Sequence, residues 1–325
     1  MGDTSPPSRA TLVAVGDLHR RWRPADRAYL ERSQPDLAMF VGDLSDTEEP
    51  ELTEKIAAVD VPKVVLLGNH DAWRSIEEQE ITQELSDSLA VLGSSHLAYG
   101  VRDVPAAQVS IVGARPFSYG GPGKRGKRGK RGERGAVLRG AAVYEQLYGV
   151  TDAKASADLI MKAAQGARHS DLVILAHNGP TGLGDDPADF CGKDFRDRKV
   201  QGDKPGGDWG DKDLELAIEA IEGWGYRVRA VVSGHMHHKL LEPRGAERRR
   251  FVRRGHTLYV NCAVVPRLVR DRDGDELAHF VRMQWEAGEC RTLEEVWVDA
   301  NGRERSVVAP EVIDLGDSAQ PAVEG

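Results

Sequence analysis

Six short apolar runs, most of them closing on aspartate or histidine, constrain this chain more than any other feature. They are TLVAVGD (11–17), DLAMFVGD (36–43), KVVLLGNH (63–70), VSIVGA (109–114), DLVILAH (171–177) and RAVVSGH (229–235). Continuous Val/Ile/Leu runs of this length predict strands buried on both faces. Helices are predicted between them over 24–33, opened by Pro24, and over 73–91, 153–165 and 211–223, the last opened by Asp211, with a shorter candidate around 137–147. Strands alternating with helices predict an α/β fold whose active residues sit at the carboxyl ends of the strands. Three later runs, TLYVNC (257–262), LAHFVRMQW (277–285) and LEEVWVD (293–299), have no helices between them. They predict antiparallel pairing in a second sheet.

A chain of 325 residues with 40% hydrophobic and 30% charged side chains can bury a sizeable core. The expected organisation is a disordered lead over 1–10, a single domain over 11–310 and an acidic tail over 311–325. Within the domain, the glycine-rich and acidic stretch 179–213 is expected to be a loop excursion near the strand ends. The most conspicuous segment, GKRGKRGKRGERG (123–135), carries seven basic side chains against Glu133 inside a chain of net charge −8, so the remainder is more acidic still. An acidic body with one basic strip is not a general nucleic-acid binder. The strip, part of a low-complexity loop over 121–136, lacks aromatic interleaving and cannot pack, although nucleic-acid contact through 123–135 stays open. Three separated cysteines, Cys191, Cys262 and Cys290, form no CxxC pair and suggest a reducing cytoplasm. No apolar run reaches the roughly 18 residues needed to span a bilayer, so no membrane partner is expected.

Five strand ends finish in potential metal ligands: GDLH with Asp17 and His19, GD with Asp43, GNHD with Asn69, His70 and Asp71, AHNGP with His177, and GHMHH with His235, His237 and His238. Each alone is ordinary, since Gly and Asp are common turn formers. Together they hold six of the ten histidines. Hard divalent cations take carboxylate, amide and imidazole ligands, and a site between loops must collect them from several strand ends. Asp17 to Asp43 and Asp43 to Asn69 are both steps of 26 residues, which fits successive strand, helix, strand units with the ligands on one edge.

The five blocks, in this order, resemble the calcineurin-like metallophosphoesterase superfamily, whose pattern is GD-x-H, GD, GN-H-D/E, a separate H and GH-x-H. The resemblance implies a two-sheet α/β/β/α sandwich with the metal site at the strand carboxyl ends. It implies two divalent or trivalent ions (Mn, Fe or Zn), one held by Asp17, His19, Asp43 and His237, the other by Asp43, Asn69, His177 and His235, with Asp43 bridging. It further implies attack of a dinuclear-metal-bound hydroxide on a phosphomonoester or phosphodiester. His70 would stabilise the transition state or protonate the leaving oxygen, with Asp71 orienting its imidazole. The family motif has no place for His238, which is expected to be exposed.

The chain departs from the pattern of the protein serine/threonine phosphatases: GDLSDTEEP lacks the arginine that follows the equivalent of Asp46 there. The middle section, including HNGPTGLGDDPADFCGKDF, resembles an uncharacterised bacterial and plant branch of the superfamily and names no substrate. Arg20, standing where the first block often has glycine, and Arg253 and Arg254, in a basic cluster that begins at Arg244, are candidates for substrate contacts. That cluster reads first as a solvated hairpin tip, since charge runs are usually solvated faces. The expected partner is a phosphorylated small molecule or nucleotide. A nuclease or RNA-processing phosphodiesterase using the basic loop, and a catalytically inactive binding scaffold, are the alternatives.

Overall fold

A computed structural model describes residues 9–121, 137–196, 202–305 and the backbone of 313–314. The basic repeat at 123–135 lies outside the described residues, as do most of the expected lead and tail. The strands are β1 (Arg9–Val15), β2 (Leu37–Phe40), β3 (Lys63–Val65), β4 (Val101–Val104), β5 (Val109–Gly113), β6 (Asp171–Leu175), β7 (Arg227–Ser233), β8 (Phe251–Arg254), β9 (Thr257–Asn261), β10 (Leu268–Arg270), β11 (Glu276–Glu286), β12 (Glu289–Val298) and β13 (Ile313–Asp314). The helices are α1 (Pro24–Ser33), α2 (Pro50–Ala57), α3 (Trp73–Glu78), α4 (Gln83–Leu92), α5 (Ala141–Tyr148), α6 (Ala153–Gln165) and α7 (Lys212–Gly223).

The strands form two sheets, one ordered β10-β11-β1-β2-β3 with β12 on the far edge of β11, the other β13-β8-β9-β7-β6-β5-β4. Alternation along each strand sorts side chains between layers. Leu12, Ala14, Met39 and Val41 of the first sheet meet Val173, Leu175, Val232 and Val260 of the second in a dry interior. Val13, Val15 and Phe40 point the other way onto Leu30, Ile56 and Leu85 of the first helical layer. Leu172, Ile174 and Val231 face Ile160, Leu214 and Ile221 of the second. The result is the expected α/β/β/α sandwich. Strands β1, β2 and β3 are mutually parallel, as are β5, β6, β7 and β9, so their carboxyl ends gather on one edge.

Several local readings change. The run 257–262 does not pair antiparallel with the later ones: β9 inserts parallel beside β7. Strands β11 and β12 are antiparallel partners, but they extend the sheet of β1, because Val281, Met283 and Trp285 supply its inward face there. The single helix expected over 73–91 is two. Gln79 ends α3 at φ 59°, and Thr82 opens α4 by accepting the Leu85 amide at 3.2 Å. The break is fixed by buried Glu48, whose carboxylate accepts the Ser75 amide and the Thr82 hydroxyl. Strand β1 begins at Arg9, inside the span expected to be disordered, and in the acidic tail β13 pairs parallel with β8.

Burial also sets an acid limit. His279 is 1% exposed, and its Nε2 pairs with Glu295 at 2.9 Å. Burial pushes its imidazole down to about 4, so on unfolding it takes up a proton that the folded state refuses. Between its ordinary 6.5 and about 4 the unfolded chain binds more protons, and stability falls as pH falls. Urea midpoints are expected to drop steadily through that window and to drop less in His279→Asn; equal slopes for the two proteins would exclude His279 as the cause.

Candidate metal centre

The loops that leave β1, β2, β3, β6 and β7 meet at one edge and touch backbone to backbone. Gly42 sits at φ 96°, and a Cβ there would lie 2.5 Å from the Gly68 amide nitrogen and 2.7 Å from His177 Nδ1. A Cβ on Gly234 would lie 2.2 Å from Asp17 Oδ2. Glycine is therefore required by close approach, not by turn preference alone. Four of the candidate ligands pay for the geometry with left-handed backbone: Asp17 (φ 51°), His19 (44°), Asp43 (46°) and His235 (65°). For residues with a Cβ this is strain that surrounding contacts must hold. They do: the Asp17 amide donates to Gly42 O at 3.0 Å, that of His19 to Asp43 O at 3.0 Å, and that of His235 to the Asp17 carboxylate at 3.1 Å.

Two groups of ligand-type atoms result. Asp17, His19 and His237 each place one such atom within 4.8 Å of the others, and so do Asp43, His177 and His235. Asn69 joins the second group, its Oδ1 standing 2.9 Å from His177 Nε2. Asp43 faces both. Its Oδ1 is 3.4 Å from His177 Nε2, and its Oδ2 is 3.9 Å from His19 Nε2.

The electrostatics of this edge call for positive charge. Asp17 is buried, and burial, with Asp43 next to it, pushes its carboxyl well above the usual carboxylate range. Burial would do the same to Asp43, but His177, His70 and His19 hold it below its ordinary value. Burial likewise disfavours the charged form of His177, and pushes His235 down to about 3 and His237 to about 4. His177 Nδ1 lies 2.8 Å from Val41 O, which places its proton there and leaves the Nε2 lone pair aimed at Asn69 Oδ1 and Asp43. His19 is arranged alike: Nδ1 donates to Asp46 Oδ1 at 2.9 Å, and Nε2 stands 3.3 Å from His237 Nε2. Lone pairs converging on shared points from carboxylate, amide and neutral imidazole fit a divalent or trivalent cation in each group.

His70 lines the cavity beside Asp43, His235 and His237. Its amide donates to Asp43 Oδ1 at 2.9 Å, its ring stacks on Trp73 with centroids 5.5 Å apart, and its Nδ1 donates to Asp46 O at 3.0 Å. Asp71 does not orient it. The Asp71 carboxylate turns away and accepts the amides of Gly68 (2.8 Å), Ser45 (3.0 Å) and Leu44 (3.2 Å) and the Ser45 hydroxyl (3.1 Å). Burial and nearby Asp43 push it up to about 7. The residue that does orient His70 is Asp46, by its carbonyl, while its carboxylate orients His19. The sequence carried a signal for it, the second aspartate of GDLSD.

The calcineurin-like phosphoesterase family pattern matches this chain over residues 10–239. The chain belongs to that family. Solved structures similar to this phosphoesterase include a purple acid phosphatase from yellow lupin (Lupinus luteus) seeds, 13% identical, covering 95% of this chain and 54% of that one, at a TM-score of 0.41. A hypothetical protein from Thermus thermophilus is 12% identical over 89% of this chain and 99% of that one (TM-score 0.42). The anchor of the inner membrane complex of Plasmodium is 8% identical over 93% and 88% (TM-score 0.47). No curated protein matches the chain.

Around the phosphoesterase edge, the basic residues are not where the sequence suggested. Arg253 and Arg254 pair with Leu258 and Thr257, at the beginning of β9, whereas the ligand loops follow the strand ends. Arg253 lines a separate cavity with Arg229 and Cys290, and Arg254 donates to Gly182 O at 2.9 Å. Antiparallel β8 carries both away from the metal edge, so neither serves as a clamp there. Arg20 stays at the rim, paired with Glu49 at 3.0 Å. Arg248, expected on a solvated hairpin, is buried: Nε donates to His237 O at 3.0 Å, and Nη1 to Gly192 O and Asp189 O at 2.7 and 2.8 Å. His238 is also buried, its Nδ1 accepting the Val265 amide at 3.0 Å, because its neighbour His237 takes the opposite side of an extended segment. Trp209 is a packing anchor, with Nε1 donating to Tyr119 O at 3.0 Å and its ring edge-on to Phe195. The excursion 179–213 does reach the site, through Asp194 and Phe195. Among the described residues no helix is long and apolar enough to cross a membrane.

Proposed function

We propose that this chain hydrolyses a phosphomonoester or phosphodiester of a small molecule or nucleotide at a dinuclear metal centre, in the cytoplasm. Family membership supports a metal-dependent phosphoesterase in general; the observation that carries the finer reading is Asp43, whose two oxygens face two separate ligand groups. Asp17, His19, Asp43 and His237 would hold one cation, and Asp43, Asn69, His177 and His235 the other. When bound, such a pair supplies Lewis acidity, acidifying water and drawing charge from phosphoryl oxygens.

The chain's own residues do the rest. Val41 O and Asp46 keep the ring protons of His177 and His19 on the outer nitrogens, so the inner ones are free to bind. His70, fixed by Asp46 O and by Trp73, lines the cavity, where its remaining nitrogen would donate a proton to the departing oxygen or to the phosphoryl group in the transition state. His70→Ala is expected to lower kcat on an aryl phosphate by about 10² to 10³ while leaving bound metal unchanged. Loss of metal in that variant would make His70 a ligand. The reading as a whole is tested by supplying Mn, Fe, Co or Zn near neutral pH: turnover of a generic aryl phosphate or bis-aryl phosphate is expected, and none with any metal would sink it.

A further inference from the structure

Beside the metal-edge cavity, about 180 Å³, lies a second of about 530 Å³, and the two share Phe195 and Leu241 as walls. A phosphoryl group needs only the first. The second falls within the range of small-molecule sites, and it is lined by Leu240, Arg196, Glu242 and Arg244 besides the shared pair.

The shared wall is built. The Leu241 amide donates to Asp194 Oδ2 at 2.8 Å, Asp194 Oδ1 lies 3.3 Å from Arg248 Nη2, and Arg248 holds the His237 carbonyl. Phe195 is fixed by the Trp209 ring at 5.0 Å and by the Lys193 ammonium 5.4 Å from its centroid. Leu241 is 63% exposed, so this fixed apolar step faces solvent beside the metal edge. The charges beyond it are unequal. Arg196 is neutralised by Glu242 at 2.8 Å, whereas Arg244, also exposed, forms no ion pair among the described residues.

We infer that the second cavity is the leaving-group subsite: it takes the apolar body of the ester over Phe195 and Leu241 and a second anionic group at Arg244. The inference rests on the phosphoesterase reading and names its substrate class, an aryl or similarly apolar phosphate ester with a distal carboxylate or phosphate. A planar guanidinium recognises either anion by paired hydrogen bonds.

The test uses the full chain loaded with metal and three esters: glycerol 2-phosphate, 4-nitrophenyl phosphate and 4-carboxyphenyl phosphate. Leu241→Ser is expected to cut the preference for 4-nitrophenyl over glycerol phosphate, as a kcat/KM ratio, by about tenfold, mainly through KM. Arg244→Glu is expected to cut the preference for 4-carboxyphenyl over 4-nitrophenyl phosphate by about tenfold. Ratios unmoved by both substitutions overturn the subsite while leaving the phosphoesterase reading intact. Should the wild type hydrolyse none of the three, that reading fails separately, and equilibrium binding of 4-carboxyphenyl phosphonate still decides: about tenfold weaker binding by Arg244→Glu supports the subsite, and equal binding overturns it.

Discussion

Asp43→Ala is expected to remove both metals together and to lower kcat/KM on an aryl phosphate by about 10³ or more. The size follows from its position. Asp43 turns one oxygen toward His177 and the other toward His19, so its loss takes a carboxylate from both groups at once. Two cations sharing one carboxylate would repel each other and would need negative charge between them. Asp43 Oδ1 also accepts the His70 amide, so the substitution loosens His70 as well. Metal analysis beside kinetics makes the outcome readable. Loss of one equivalent would assign Asp43 to a single group, and unchanged metal with full turnover would dismiss the dinuclear reading.

Asp71→Ala is expected to destabilise the fold by about 4 kcal/mol, a larger effect than most single substitutions produce. The carboxylate collects four donors from two loops, the amides of Leu44, Ser45 and Gly68 and the Ser45 hydroxyl, all inside the protein. Removing it leaves the three amides without that partner, at about 1 to 3 kcal/mol for each that stays dry, while the Ser45 hydroxyl keeps the Thr47 carbonyl. Urea unfolding of metal-free protein measures this directly. If instead stability held and only kcat fell, Asp71 would be acting on His70, as its place in the GNHD block suggests and its hydrogen bonds contradict.

Asp71 marks where the sequence stops being informative. Most of the strands and the gathering of the candidate ligands at one edge were legible because most strand runs end at such a residue, and the steps from Asp17 to Asp43 and from Asp43 to Asn69 repeat a strand and helix unit. Roles that depend on which way a side chain turns were not. Asp71 and Asp46 are both acids next to ligand blocks, and only the folded loops show that Asp46 meets His70 and His19 while Asp71 braces the backbone. Arg248 and Arg254 stand in one basic cluster, yet one is buried behind His237 and the other lies at the opposite end of β8. The break between α3 and α4 depends on Glu48, more than twenty residues upstream, which no local pattern reveals.

Arg248 has a practical consequence for altering this chain. It clasps the carbonyl of His237 with one nitrogen and the carbonyls of Asp189 and Gly192 with another, so the excursion after β6 is fastened to the backbone of a candidate ligand. Loops of this kind are the usual material for grafting a new preference onto an old scaffold. Here a transplanted loop that fails to return two carbonyls to that guanidinium would strand a buried cation and shift His237 with it. The loop and the His237 backbone are mechanically one part, and a library built on residues 185–196 should be screened for metal retention before it is screened for turnover.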